Sequence, residues 1–461
     1  MSARQSSKIE KTAQPEVRRT LVALLSPCGT GNLGDAAIQD AALANLGARL
    51  GSAVTFLGIT LNPPDTEGRH GIACVPLDCY SRAPAYGAPL PALSEEKLGA
   101  IPAPVRLLRE QFARHARDYK QVHAGRSRLR RALMGLRLEA RHWALALRLL
   151  KHVDLLVIAG GGQLDDLWGG ASGHPLALFK WRLAARLQTC RVVALSIGAG
   201  HLGAWKTRAL LSCALRDLSY ESYRDRRTAR LASRLSRRMA PVVPDLALSR
   251  PVANYPQAAP RSVTDLCIAI APMAYMDPRA WPTENASLFA RYTGELSETI
   301  GRLAAQGARV IIFNTTPADL RVARDLYARS QTDLAPGVRE RVLLSEASTV
   351  EGVLRTLGAA HLSIASRLHA VVLSTLLCRP VIAVPCEWKV HRYMFDCGLR
   401  GMKSPFKSVT AAALEALVAR AIADYDSLVA QLTRMRRECD ASLAAQYDLV
   451  AGFAASACAP T

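Results

Sequence analysis

The chain has 461 residues, half of them hydrophobic and 21% charged, with a formal net charge of +21. That length and apolar content exclude a largely disordered chain and suit two α/β domains of about 200 residues each. The charge calls for an acidic partner, whether phosphorylated metabolite, anionic glycan, membrane surface or nucleic acid. The cysteines, eleven and scattered through apolar runs without a C-x-x-C pair, read as reduced thiols, not as disulfides or a thiolate zinc site.

Residues 1–19 read as a disordered polar tail that lacks the apolar core of a secretory signal. No run reaches the roughly 18–20 apolar residues of a membrane span. The expected location is therefore cytoplasmic.

Strand-like runs then alternate with helix-length segments. Leu21–Ser26 reads as a buried strand, followed by a glycine turn and a helix from about Asp35 to Leu50. Ala53–Leu61, Val153–Ala159 and Arg191–Ile197 read as further strands, and Leu218–Tyr223 and Pro241–Leu248 as shorter ones. Such alternation implies a parallel sheet with helices on both faces. Residues 249–262, with three prolines, look like a linker. The pattern restarts with strands expected at Leu266–Ala271, Ala308–Asn314, Arg341–Leu344, His361–Ala365 and Pro380–Val384. Helices follow from Ala411. The domains are thus expected at 20–250 and 262–461, with a cleft between them.

Residues 81–150 interrupt the first domain as a basic helical insertion. Between Ile101 and Leu150 the net charge is +9. Leu129, Leu133, Leu136 and Leu138 recur at helical spacing there. The segment suits docking on anionic lipid or an acidic polymer, or it is a solvated insertion whose arginines face water. Aromatic residues are too sparse for a base-stacking surface, which argues against nucleic acid.

The turn from Gly29 to Gly34 matches G-x-G-x-x-G between a strand and a helix, where glycines let backbone approach an anion. The second strand, however, carries no acidic residue for a ribose, which argues against NAD, and no Gly-Lys-Ser/Thr makes a P-loop. Asn32 and Asp35 either cap the helix or bind a substrate hydroxyl. Gly160, Gly161 and Gly162 form a second turn, tight in itself or approached by a ligand, with Gln163 and Asp165 the polar groups beside it. Ser366, Arg367 and His369 follow the strand ending at Ala365, where open α/β sheets bind ligands. Arg367 suits a carboxylate or phosphate, and His369 can move a proton near neutral pH. Arg224 and Lys389 are further cations at strand ends. Asp245 reads as a turn or cap residue.

In order and spacing, this set resembles the polysaccharide pyruvyl transferase family. The matching residues are Gly31-Asn32-Leu33-Gly34-Asp35, the Gly160–Gly162 turn, Ser196-Ile197-Gly198, Arg224-Asp225, Pro244-Asp245, Ser366-Arg367-Leu368-His369, Pro380–Val384 and Lys389. The chain departs from the family's habit at Ala36, where an acid is common, and at Thr228, where serine is usual. The resemblance implies an α/β fold of two Rossmann-like domains with a central cleft, like GT-B glycosyltransferases. It implies phosphoenolpyruvate as co-substrate, with no metal and no other cofactor, and pyruvate transfer as a ketal to a sugar or lipid-linked glycan. His369 would then be the acid or acid/base, assisted by Arg367. Arg224, Arg367, Lys389 and Ser366 would bind the donor. Asn32, Asp35, Gly160, Gly161 and Gln163 would face the acceptor. The alternatives are a nucleotide-sugar glycosyltransferase and a non-catalytic basic scaffold that holds an anionic glycan or lipid.

Overall fold

A computed structural model describes residues 19–79, 92–122, 128–167, 169–255, 259–260, 262–281 and 283–457, with 117–122, 128–132 and 457 described by backbone alone. The expected polar tail lies outside these residues apart from Arg19, as do 81–91 of the insertion and the side chain of Leu129.

Six parallel strands form the first sheet: β1 (Thr20–Leu25), β2 (Val54–Thr60), β3 (Ala73–Pro76), β4 (Leu155–Ala159), β5 (Arg191–Ile197) and β6 (Tyr220–Tyr223). Their order is β3-β2-β1-β4-β5-β6. Val22 pairs with Phe56 on one side of β1 and with Leu155 on the other. The chain therefore winds outward in both directions from the β1/β4 boundary, and a crevice opens there beyond the carboxyl ends of the strands. The second sheet holds β7 (Cys267–Ala271), β8 (Arg309–Phe313), β9 (Val342–Ser345), β10 (Leu362–Ala365) and β11 (Val381–Ala383) in the order β11-β10-β7-β8-β9. Its reversal point lies between β7 and β10, so the loop after β10 faces a crevice as well. The expected α/β architecture of two Rossmann-like domains is what the chain forms.

Most strands read from the sequence are present within a residue or two of their expected ends. Pro241–Leu248 is a correction. It forms no ladder strand, only a single bridge from Val242 to Tyr223 and a 3-10 turn at Leu246–Ser249. Pro241 and Pro244 each lack a backbone donor, which disfavours a continuous ladder. The helix Pro63–His70 and strand β3 were not expected.

The terminal helix, Tyr425–Ala457, follows the second domain but packs on the first, against the helix Leu33–Leu50 and strands β1, β4 and β5. Leu432, Leu443, Tyr447, Val450 and Ala454 are buried along it. Arg49 pairs with Asp448 at 2.6 Å, and Gln446 joins a buried network with Ser196 and Ser222. The helix is thus a strap that closes the chain back across the linker. Among the described residues no helix is long and apolar enough to cross a membrane.

The basic insertion holds a short helix, Glu95–Gly99, and two long ones, Ala103–Val122 and Arg128–Leu150, packed on one another. The second buries Leu138, His142, Leu145 and Leu149, spaced i, i+4, i+7, i+11. Leu133 and Leu136, which the sequence groups with Leu138, face solvent instead.

Candidate active site

The helix Leu33–Leu50 starts directly after β1 at the first crevice. Asn32 caps it, accepting from the Gly34 N–H at 3.0 Å, and its side-chain amide donates to Asp35 Oδ2 at 2.8 Å. The other Asp35 oxygen looks toward the turn after β4, where Gly160 and Gly161 take φ of 44° and 70°. Gly160 is seated on Ile38 and Leu246, so its contribution is to shape the turn. The second domain closes on this spot. The Leu33 N–H donates to the carbonyl of Thr315 at 2.9 Å. The His369 ring lies directly on Gly34, so that a Cβ there would fall 2.0 Å from Nδ1. Only glycine lets the two domains meet so closely.

His369 stands in the first turn of the helix Leu368–Leu376, which follows β10 and has no side-chain cap. The residue is 8% exposed, and its Nε2 bonds no described group. The nearest anion is Asp245 Oδ2 at 3.7 Å, beyond hydrogen-bond reach. Asp245 is buried at the end of the first domain and accepts from Arg224 Nη1 at 3.0 Å and from the Ala247 N–H. Arg224 reaches it across Gly198, where a Cβ would overlap the guanidinium. Asp225 and Thr228 hold the turn that carries Arg224. Asp225 caps the next helix, and Thr228 Oγ1 donates to Asp225 at 2.7 Å while accepting from the Ala199 N–H. A threonine hydroxyl thus makes every bond that serine would.

The two central carboxyls are driven apart. Burial raises the pKa of Asp35, and His369, Lys389 and Arg224 offset that only in part. Burial pushes Asp245 up too, but His369, Arg224 and the Ala247 N–H outweigh it and hold the group well below the usual carboxylate range. Asp245 is therefore held as an anion, while burial favours the protonated form of Asp35.

Arg367 borders this cluster on the second domain's side, near the Glu387 that pairs with Lys389. Its Nε and Nη2 grip Asp319 in a fork at 2.5 and 2.7 Å. Asp319 is itself fully buried and fixed by the Ala274 N–H. Lys389 pairs with Glu387 at 2.9 Å and lies close enough to Asp35 and Asp165 to offset part of the rise that burial gives their pKa. At the mouth, Arg227 of the first domain stacks on Trp388 of the second, 4.1 Å from the ring centroid.

Two expected residues turn away from the cleft. The Ser366 hydroxyl, 1% exposed, bonds Tyr292 OH inside the second domain. Gln163 is completely buried, bonded to His174 Nε2 at 2.6 Å and donating to the Ala159 carbonyl. Their backbones shape the loops, and their side chains are engaged inward. Asp319, Glu387, Arg227 and Trp388 were not singled out from the sequence. Their only signal there is a place just after a strand or near an expected cation. Ala36, where relatives often carry an acid, is buried in the core. Among the described residues no group of three His, Cys, Asp or Glu is placed to hold a metal ion.

Two Rossmann-like domains thus meet in a GT-B-like architecture, with Asp35, Arg224 and Asp245 of the first brought close to His369 of the second. The chain belongs to the polysaccharide pyruvyl transferase family, whose model matches residues 32–387. Lys389 lies just past the matched stretch. Similar solved structures include an O-GlcNAc transferase mutant of Thermobaculum terrenum (14% identity, 96% of this chain and 68% of that one, TM-score 0.43). Others are the glycotransferase of kitacinnamycin (12%, 95% and 99%, 0.49) and E. coli heptosyltransferase WaaC with ADP (14%, 87% and 99%, 0.39). Likenesses this distant transfer no ligand to this chain.

Proposed function

We propose that this protein transfers pyruvate from phosphoenolpyruvate to sugar hydroxyls of a surface or exopolysaccharide precursor, as a cyclic ketal, releasing inorganic phosphate. The observation that carries the reading is the convergence of Arg224, His369 and Lys389 on Asp35, where the strand ends of both domains meet. The donor is small and carries a carboxylate and a phosphate, which guanidinium groups and an uncapped helix start can hold. His369 gives a proton to the methylene carbon, making the methyl group of pyruvate. Asp35 takes the proton of the attacking hydroxyl, and Asn32 keeps its carboxylate aimed. Arg224 and Lys389, with Arg367, stabilise the phosphate as its bond to carbon breaks. A second hydroxyl of the same sugar then closes the ketal and returns its proton to His369, while the departing phosphate carries off the proton that Asp35 took. Phosphoenolpyruvate is a co-substrate, and no other cofactor is called for. We place the reaction in the cytoplasm, on a sugar or lipid-linked glycan.

A thermal-shift titration tests the donor. Phosphoenolpyruvate at a hundred times its dissociation constant should stabilise the protein by about 2.7 kcal/mol. The shift should exceed that of inorganic phosphate and vanish in Arg367→Ala. In His369→Gln it should persist while turnover falls well beyond tenfold. A shift with UDP, GDP or CMP alone would replace this reading with a nucleotide-sugar transferase. Binding of an anionic glycan that survives loss of both Arg367 and His369, without any shift from phosphoenolpyruvate, would replace it with a scaffold.

A further inference from the structure

The helix Arg226–Ser236 carries four arginines and no acidic residue. Arg226, Arg227, Arg230 and Arg234 share about a third of its circumference, and all are exposed. Thr228, Ala232 and Ser236 are buried on the far side, and Leu231 and Leu235 pack on the core of the first domain. Among the described residues none of the four arginines joins an ion pair. The carboxyls of the packed neighbours are engaged elsewhere. Asp225 caps the helix itself, and Glu221 is buried with Tyr223 and Ser236 bonded to it. Asp217 lies 3.8 Å from Arg186, on a different helix. The helix packed alongside, Trp205–Ala214, has no acid. Across the cleft mouth, Glu387 pairs with Lys389.

The placement gives that face a use. The helix follows β6, so its first turn stands at the carboxyl edge where the cleft opens, and its 11 residues run about 16 Å down the flank. Arg227, in that first turn, is the residue stacked on Trp388 across the mouth. The neighbouring helix begins at the same edge with Trp205, 74% exposed. Cations are thus spread along the helix, while flat rings stand only at its cleft end. A bilayer needs apolar groups among the cations, and the arginine face has none; the exposed Met239 lies past the helix end. A nucleic-acid strand needs rings along the whole cationic path. A sugar chain bearing carboxylates fits both features. Guanidinium forks take the carboxylates, and an indole takes the apolar face of a ring at the entrance.

We infer that this arginine face is a track that holds a carboxylate-bearing glycan chain at the mouth of the cleft. The track stands on the helix alone. Its service to pyruvate transfer, which itself adds a carboxylate to each sugar modified, rests on the transferase reading above.

Binding of the full chain to alginate, a polymer of uronates, tests it. The protein should bind alginate, release it as salt rises, and ignore neutral dextran. An exposed carboxylate–guanidinium pair carries up to about fivefold in affinity. The triple variant Arg226→Gln, Arg230→Gln, Arg234→Gln should therefore lose roughly tenfold or more. The variant Arg106→Gln, Arg137→Gln, Arg148→Gln removes the same charge from the insertion and should bind like the parent. All six side chains are exposed, so both variants should keep the parent melting temperature. Equal losses in the two variants would mean that net charge alone binds the polymer, and would overturn the inference. So would a parent that ignores alginate, or one that holds duplex DNA or phosphatidylglycerol vesicles more tightly through the same three arginines. The thermal shift with phosphoenolpyruvate separates the two claims: shift kept and alginate binding absent sinks the track alone, whereas alginate binding kept and shift absent leaves the track and sinks the donor assignment.

Discussion

At the scale of single residues, the proposed site gives two carboxyls opposite tasks. Asp245 spends its charge on Arg224 and on the field at His369, while Asp35 remains able to take a proton. As a base Asp35 must be ionised, so kcat/KM for phosphate release should fall as pH drops through its pKa. Burial raises that pKa, so the acid limb should lie above the ordinary value of 3.8. Lys389 attracts the Asp35 anion, so Lys389→Met should move the limb further upward, an effect a merely structural lysine would not have. A pH–rate profile of the two proteins checks this, and an unmoved limb would remove Asp35 from the base role. The same raised pKa makes the contribution of Asp35 to folding largest below 3.8 and smaller as pH rises through the native value. Arg224, His369, Asp35 and Lys389 were legible in the sequence because each follows a strand, where open sheets bind ligands. Ser366 and Gln163 stand at equally good positions in the chain and still face inward, since side-chain direction depends on partners such as Tyr292 and His174 that lie 74 and 11 residues away. The Asp319 fork on Arg367, 48 residues distant, was hidden for the same reason.

At the scale of elements, strands buried on both faces announce themselves as unbroken apolar runs, which is why β1, β4, β5 and β7 could be located closely. β3 is only four residues long and ends in Pro76, too short for a periodicity to register. The destination of the last helix was also invisible, because an apolar face does not say which domain it covers. Its docking can be tested at Gln446. Ser196, at the end of β5, holds φ of 49°, a conformation non-glycine residues seldom adopt. Its N–H donates to Ser222 Oγ at 2.7 Å, Ser222 donates to Gln446 Oε1, and Gln446 Nε2 donates to Ser196 Oγ at 3.3 Å. Replacing Gln446 with Ala removes the acceptor of the Ser222 hydroxyl and the donor to Ser196 Oγ, and a buried polar group left unsatisfied costs about 1–3 kcal/mol. The expected result is a clear fall in the denaturant midpoint at unchanged slope. A midpoint equal to the parent would mean that the strap is not held through this network.

At the scale of the whole molecule, the strap and the cleft make one argument. The first domain supplies Asn32, Asp35, Arg224 and Asp245, and the second supplies Arg367, His369 and Lys389. The two are joined by the Leu33–Thr315 bond, the His369–Gly34 contact, the Arg227–Trp388 stack and the terminal helix. Domains coupled only through a loose linker would melt separately, and a ligand would stabilise only the one that held it. Here the two domains meet at the His369–Gly34 contact, and a helix from the second completes the core of the first. Calorimetry should therefore show a single transition, and phosphoenolpyruvate should move all of it upward. Loosening the mouth with Arg227→Ala should shrink that shift while leaving the unliganded melting temperature almost unchanged, because an exposed cation–π contact is worth only about 0.5–1 kcal/mol. Two transitions, of which phosphoenolpyruvate moved only one, would place the donor within a single domain and would leave the convergence on Asp35 without a catalytic purpose.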